Sequence, residues 1–244
     1  MMPFFTYFGG KWRVARQYPE PLYGHIIEPF AGAAGYALRH YTHEVTLVEK
    51  DPVLVDLWRY LIAATPKEIR TLPLIGKTQS VDALDICPAA RSLIGFWLNK
   101  GNTHPCKTPS AWMRQEIRPK SFWGPEIRER VAQQVSQISH WQIIEGDFFT
   151  APDCAATWFI DPPYQNAGKH YRFPAAGIDY TFLSAWCRRR GGQVLVCEND
   201  GAAWLPFYPF ADIKSTPGRH RTGRSKEVIW TNVGPSTAPR SAAG

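Results

Sequence analysis

Asp161-Pro162-Pro163-Tyr164 is the stretch of this chain whose residue types and spacing could do chemistry. It follows Trp158-Phe159-Ile160, an apolar run that reads as a buried strand. Two prolines cannot continue a β-ladder, so the chain turns there. The turn leaves a carboxylate and a phenol at the strand's carboxyl end, where open α/β sheets hold their ligands. Asp161 can accept hydrogen bonds from an amino group. The residue before a proline is held extended, so the Pro162 carbonyl points in a nearly fixed direction and offers a second acceptor. Tyr164 presents a face on which a flat base can stack. Together these groups make a pocket for a planar exocyclic amine. A plain strand-to-loop turn with an Asp cap is the bland alternative.

Three further stretches have the makings of a nucleoside site. Phe4-Phe5-Thr6-Tyr7-Phe8-Gly9-Gly10-Lys11 runs from aromatics through a glycine pair to a lysine. Gly9 and Gly10 let a ligand approach the backbone closely, and Lys11 can meet a carboxylate. His25-Ile26-Ile27-Glu28 reads as a strand, Pro29-Phe30-Ala31-Gly32-Ala33-Ala34-Gly35 as a small-residue turn, and 36–41 as a helix. That is the opening of a nucleotide-binding α/β unit. It is not G-x-G-x-x-G, and Glu28 would repel a pyrophosphate, so a cationic or neutral nucleoside fits better. The strand 45–49 ends in Glu49, roughly 20 residues further on, where such units place a ribose-binding carboxylate.

The elements that must position these groups follow an α/β rhythm. Helices are expected over 12–17, over 52–64 with Asp51 as cap, over 125–138 and over 179–190. Strands are expected at 141–145 and 193–197, and a hairpin at 211–215 with 226–231. Between 65 and 141 the rhythm lapses over a length no single loop fills, so that stretch must hold structure of its own, with a helix at 88–99. Its segment 101–124 interleaves Lys107, Trp112, Arg114, Arg118, Lys120, Phe122 and Trp123. Basic and aromatic residues on irregular backbone suit phosphate contact and base wedging, or a solvated loop with aromatic anchors. The hairpin connector carries Arg219, His220, Arg221 and Arg224, expected as a basic tip at the pocket's edge. His170, in the stretch after Tyr164, reads as a solvated loop histidine rather than a general base.

The 244 residues suit one domain, or one with an insert. A formal charge of +7 favours a polyanionic partner. Five scattered cysteines without a C-x-x-C pair argue for a reducing compartment and against a zinc site. No signal peptide or membrane-spanning run is visible, so a soluble intracellular protein is expected.

The ordered set Tyr7…Gly9-Gly10-Lys11, Glu28-Pro29-Phe30-Ala31-Gly32, Glu49, Gly146-Asp147-Phe148, Asp161-Pro162-Pro163-Tyr164 and Glu227-Val228-Ile229-Trp230-Thr231-Asn232 resembles the D12 class, the Dam-like adenine-N6-specific DNA methyltransferases of bacteria and phages. The family usually has Asp at the position of Glu49 and often Gly at that of Ala34. The resemblance implies S-adenosylmethionine as cofactor, without a metal, contacted by Tyr7, Lys11, Glu49 and Asp161. Asp147 would then receive the cofactor's adenine amino group, with Phe148 packed on the ring. It implies a Rossmann-like α/β methyltransferase sheet over 1–64 and 142–233, a helical and irregular target-recognition insert at 65–141, and a disordered tail at 234–244. The expected reaction is methyl transfer to adenine N6 of a base flipped from double-stranded DNA, with Tyr164 stacked on it. A cytoplasmic enzyme of a bacterium or phage is expected, with a cognate restriction endonuclease or none as its protein partner. Cytosine-N4 methylation, an RNA substrate and a non-catalytic nucleic-acid-binding relic of the fold stay open. Cytosine-C5 chemistry at Pro105-Cys106 is disfavoured, because that pair lies in a polar turn region and not after a strand.

Overall fold

The computed structural model describes residues 1–115, 121–166, 171–214 and 224–233. Arg118, Lys120, Lys169, His170, Arg219, His220 and Arg221, and the tail expected to be disordered, lie outside the described residues. The side chain of Arg224 does too, although its backbone opens a strand.

One seven-stranded sheet carries the chain. Its strands are His25–Glu28 (β1), Glu44–Glu49 (β2), Gln142–Glu145 (β3), Ala156–Ile160 (β4), Gly192–Asn199 (β5), Tyr208–Lys214 (β6) and Arg224–Thr231 (β7). They lie in the order β3-β2-β1-β4-β5-β7-β6. The first five in that order run parallel, and β7 enters antiparallel between β5 and β6. The order β3-β2-β1-β4-β5 is that of doubly wound dinucleotide-binding sheets. The architecture is therefore α/β with a mostly parallel, Rossmann-like sheet.

The described residues include six helices: Pro52–Ala63 (α1), Pro66–Thr71 (α2), Pro88–Leu98 (α3), Ala111–Arg114 (α4), Pro125–Val135 (α5) and Tyr180–Arg188 (α6). α1, α2, α3 and α5 each begin with proline, whose fixed φ and missing N–H suit a first turn. Asp51 caps α1 by accepting from Val53 N, and Asp179 caps α6 by accepting from Thr181 N and Phe182 N.

Strand alternation splits the core in two. Ile26, Phe159, Leu195 and Cys197 face one side, packed in a cluster with Leu54 of α1, Leu93 of α3 and Val131 of α5. Ile27, Trp158, Ile160, Val194 and Val196 face the other, with Leu183 and Trp186 of α6. Every residue of β4 is buried, as a central parallel strand covered on both faces requires. Segment 65–141 contributes to the first cluster together with Phe4 and Phe5, and α2 is tied to α5 by a two-pronged Arg70–Glu129 contact at 2.9 and 2.8 Å.

Two expected helices shrink to single 3-10 turns, Ala15–Gln17 and Ala37–Arg39. The two are held against each other. A Cβ on Gly35 would sit 2.6 Å from Trp12 N, and the Arg39 guanidinium donates to Trp12 O at 3.0 and 2.9 Å. Tertiary contact outweighs helix propensity over so short a run. Among the described residues, no helix is long and apolar enough to cross a membrane.

Candidate functional site

β1 and β4 are neighbours whose crossovers leave in opposite directions, and a crevice opens where the strand order reverses. The carboxyl ends of β1, β2, β3 and β4 supply Glu28, Glu49, Asp147 and Asp161, and the N-terminal segment folds over them. Tyr7, Gly9, Gly10, Lys11, residues 28–32, Glu49, Asp147, Phe148, Asp161 and Pro163 all line one cavity of about 350 Å³. Small-molecule sites span roughly 300–1,000 Å³.

The turn after β1 is fixed from below and from the side. Trp58 Nε1 of α1 donates to Gly32 O at 2.9 Å, and Ala31 N donates to Val48 O at 3.1 Å. Gly32 has φ +45°, and a Cβ there would touch the Tyr7 ring at 3.4 Å. Ala34, where the resembling family often has glycine, sits at φ 49° and is fully buried. That conformation costs an alanine about 1–2 kcal/mol and persists because the surrounding contacts over-determine it.

The carboxylates differ in how far they are already committed. Glu49 accepts from Gly32 N, Lys50 N and Asp51 N, each at 2.9 Å, which leaves roughly one of its about four lone-pair directions for a ligand hydroxyl. Burial raises its pKa and the backbone N–H groups oppose that. Asp147 accepts from Phe148 N at 2.8 Å and from Lys50 Nζ at 2.7 Å. Phe148 stacks on Phe30, centroids 5.5 Å apart, and so builds the cavity's apolar wall. Glu28, 2% exposed, accepts from Ala37 N at 2.6 Å, and burial pushes its carboxyl up to about 8.

Beside the cavity lies a buried ionic cluster. Lys11 Nζ is 3.1 Å from Asp161 Oδ1, 3.9 Å from Glu227 Oε1 and 4.5 Å from the centre of the Tyr164 ring, and it donates to Gly9 O at 3.2 Å. Burial alone would lower the lysine pKa, but Asp161 and Glu227 outweigh it and raise it. Asp161 Oδ1 has the Lys11 ammonium as its ion-pair partner but no hydrogen-bond partner. Burial raises the Asp161 carboxyl, and Lys11 opposes that. The Tyr164 hydroxyl donates to Glu227 Oε2, and the Tyr180 hydroxyl donates to Pro163 O. Lys11 thus both lines the cavity and pairs with the carboxylates of Asp161 and Glu227.

Sequence reasoning placed most of the cavity wall but not its far side. Glu227, quoted only within a motif, proves to be the anchor of Tyr164. Its signal was a charged residue directly before the apolar run of a buried strand. Tyr171, Arg172 and Phe173 also line the cavity, with Arg172 Nη1 3.0 Å from Asp51 Oδ1 and the Tyr171 hydroxyl donating to Phe8 O at 3.4 Å. Pro162 and Tyr164 are not among the residues that line the cavity. Lys107, Trp112 and Arg114 also lie outside it. Lys107 pairs with Asp82 at 2.7 Å, Arg114 donates to Pro109 O at 2.9 Å, and Trp112 is 65% exposed. Phe122 and Trp123 are buried, with Trp123 Nε1 donating to Pro73 O at 2.9 Å, so these two aromatics are core and not base wedges.

No family model matches the sequence, and no curated protein matches it. Among solved structures, a conserved hypothetical protein of Streptococcus pyogenes aligns over 91% of this chain and 92% of its own, with 12% identity and a TM-score of 0.38. That likeness is too slight to carry an argument, and the architecture rests on the strand order itself.

Proposed function

We propose that the protein is an S-adenosylmethionine-dependent methyltransferase that modifies N6 of adenine in double-stranded DNA. The observation that carries this reading is Asp161. It is a half-buried carboxylate at the end of the central strand, its Oδ1 ion-paired with Lys11 but without a hydrogen-bond partner, and it lies on the wall of a nucleoside-sized cavity.

The cavity's donor set suits the cofactor. Among the described residues, five carboxylates besides the protonated Glu28 (Glu49, Asp51, Asp147, Asp161 and Asp179) line it against three cations (Lys11, Lys50 and Arg172). That balance attracts a cationic nucleoside and repels a polyphosphate. Glu49 keeps an acceptor for a ribose hydroxyl, Phe30 and Phe148 supply an apolar wall, and Gly32 lets the backbone come close. When bound, S-adenosylmethionine supplies an electrophilic methyl group on a sulfonium.

The chain's own residues position the amine. The lone pair of an exocyclic amine is delocalised into its ring, so the nitrogen needs help to act as a nucleophile. Asp161 Oδ1 would accept one amino hydrogen and stabilise the positive charge that grows on nitrogen as the new C–N bond forms and the methyl–sulfur bond breaks, leaving a neutral thioether; the methylated amine then releases its extra proton to solvent. Tyr164 holds the base by its ring once the base has left the duplex. The net charge of +7 suits the DNA backbone, and exposed Trp112 suits base contact. A DNA substrate implies action in the cytoplasm of a bacterial or phage-infected cell.

The test is nucleoside mass spectrometry of duplex DNA incubated with the protein and methyl-labelled S-adenosylmethionine. Label in N6-methyldeoxyadenosine is expected. Label only in N4-methyldeoxycytidine would move the reading to that amine, and unlabelled DNA contradicts it.

A further inference from the structure

Glu227 is a carboxylate in the middle strand of an antiparallel trio, paired with Asn199 of β5 on one side and Ala211 of β6 on the other, and only 5% exposed. A charge so placed is costly unless it is held by hydrogen bonds and a counter-ion. Its holders all belong to the amine pocket. The Tyr164 hydroxyl donates to Oε2, and Lys11 Nζ stands 3.9 Å from Oε1.

Lys11 is the only cation within ion-pair reach of either Asp161 or Glu227 among the described residues, so one ammonium serves two carboxylates. It now lies on the Asp161 side, at 3.1 Å, and over the Tyr164 ring at 4.5 Å. That is the space a substrate amine must enter to reach Asp161 and stack on Tyr164. An incoming amine that donates to Asp161 takes the place Lys11 now holds, and the positive charge that grows on that amine during transfer then repels the ammonium. Glu227 offers the ammonium a second anion within a short swing of its flexible stem. It also keeps the Tyr164 ring from following, because the ring is tethered by its hydroxyl.

We propose that Glu227 is the positioning residue of the amine pocket: it fixes Tyr164 through the hydroxyl and takes Lys11 from Asp161 as the substrate amine binds. This rests on the methyltransferase reading above. Glu227 touches neither substrate nor cofactor in this scheme.

The experiment is a double-mutant cycle of Glu227→Gln and Tyr164→Phe in single-turnover methyl transfer. Glutamine keeps an acceptor for the tyrosine hydroxyl but not the charge that draws Lys11. Glu227→Gln should slow transfer by roughly 10- to 100-fold, the span of a hydrogen bond to a charged group, with S-adenosylmethionine affinity within about twofold. The double variant should be slower than the worse single by less than the product of the two losses. Transfer by Glu227→Gln at the parent rate, or losses that multiply, overturns the proposal. A second readout needs no activity. In protein labelled with ζ-carbon-13 tyrosine, the signal missing from Tyr164→Phe should shift in Glu227→Gln, and an unmoved signal overturns the tether. A parent protein that modifies no base would refute the methyltransferase reading, while the carbon-13 signal still decides whether Glu227 holds Tyr164.

Discussion

Glu28→Gln should make the protein more stable at neutral pH, and by an amount that changes with pH. Glu28 ends β1 on the cavity wall, 2% exposed, with Ala37 N donating to Oε1 at 2.6 Å. Burial is the largest influence on its carboxyl and raises the pKa from 4.5 to about 8, with Asp161 adding to the rise and the backbone N–H groups of Ala37 and Tyr36 opposing it. Between those values the folded protein keeps a proton that the unfolded chain has released. Stability therefore falls as pH rises through that window, by about 1.4 kcal/mol per unit. From pH 4.5 to pH 7 the accumulated loss is on the order of 3 kcal/mol. Glutamine has the same shape, can accept from Ala37 N, and carries no proton to lose. Urea unfolding of both proteins from pH 5 to pH 8 should give similar stabilities at the acid end and a growing advantage for Glu28→Gln above it. Parallel pH dependences would refute the reasoning, because they would mean that Glu28 is ionised in the folded state at pH 7.

Lys11→Met leaves Asp161 and Glu227 buried without their shared cation and should cost about 3–5 kcal/mol of stability in urea unfolding; a loss under 1 kcal/mol would contradict the ion cluster. Gly32→Ala places a methyl at φ +45° and 3.4 Å from the Tyr7 ring. It should lower stability by roughly 1–2 kcal/mol and weaken S-adenosylmethionine binding in calorimetry. An unchanged affinity would take the turn out of the cofactor site. Trp112→Ala, at a position 65% exposed, should leave stability within about 0.5 kcal/mol while changing which sequences are methylated. An unchanged methylation pattern, read by sequencing, would remove Trp112 from base contact.

Much of the cavity was legible because its residues follow strands, and a strand ends where prolines, glycines and acids interrupt an apolar run. Glu28, Glu49, Asp147 and Asp161 each stand at such an interruption, and a doubly wound sheet brings those ends together. The ionic cluster was not legible, because it depends on a long-range pairing. Residue 11 meets residue 227 only because β7 enters between β5 and β6, and a hairpin pattern says nothing about where the hairpin docks. Arg172 and Asp51 are likewise joined by the path of a loop, which no periodicity encodes. Phe122 and Trp123 show the opposite limit. An aromatic in an irregular stretch reads the same whether it serves as a wedge or an anchor, and burial decides.

Single-turnover transfer of a labelled methyl group to adenine in duplex DNA, by the parent and by Asp161→Ala, tests the central claim most directly. On the proposed reading Asp161 acts where positive charge develops, so its loss should fall on the chemical step. One preorganised partner of that kind is worth about 100- to 1,000-fold in rate. The account predicts at least a 100-fold slower transfer with DNA affinity little changed, because phosphate contacts supply most of that affinity. Transfer by Asp161→Ala at the parent rate would contradict it.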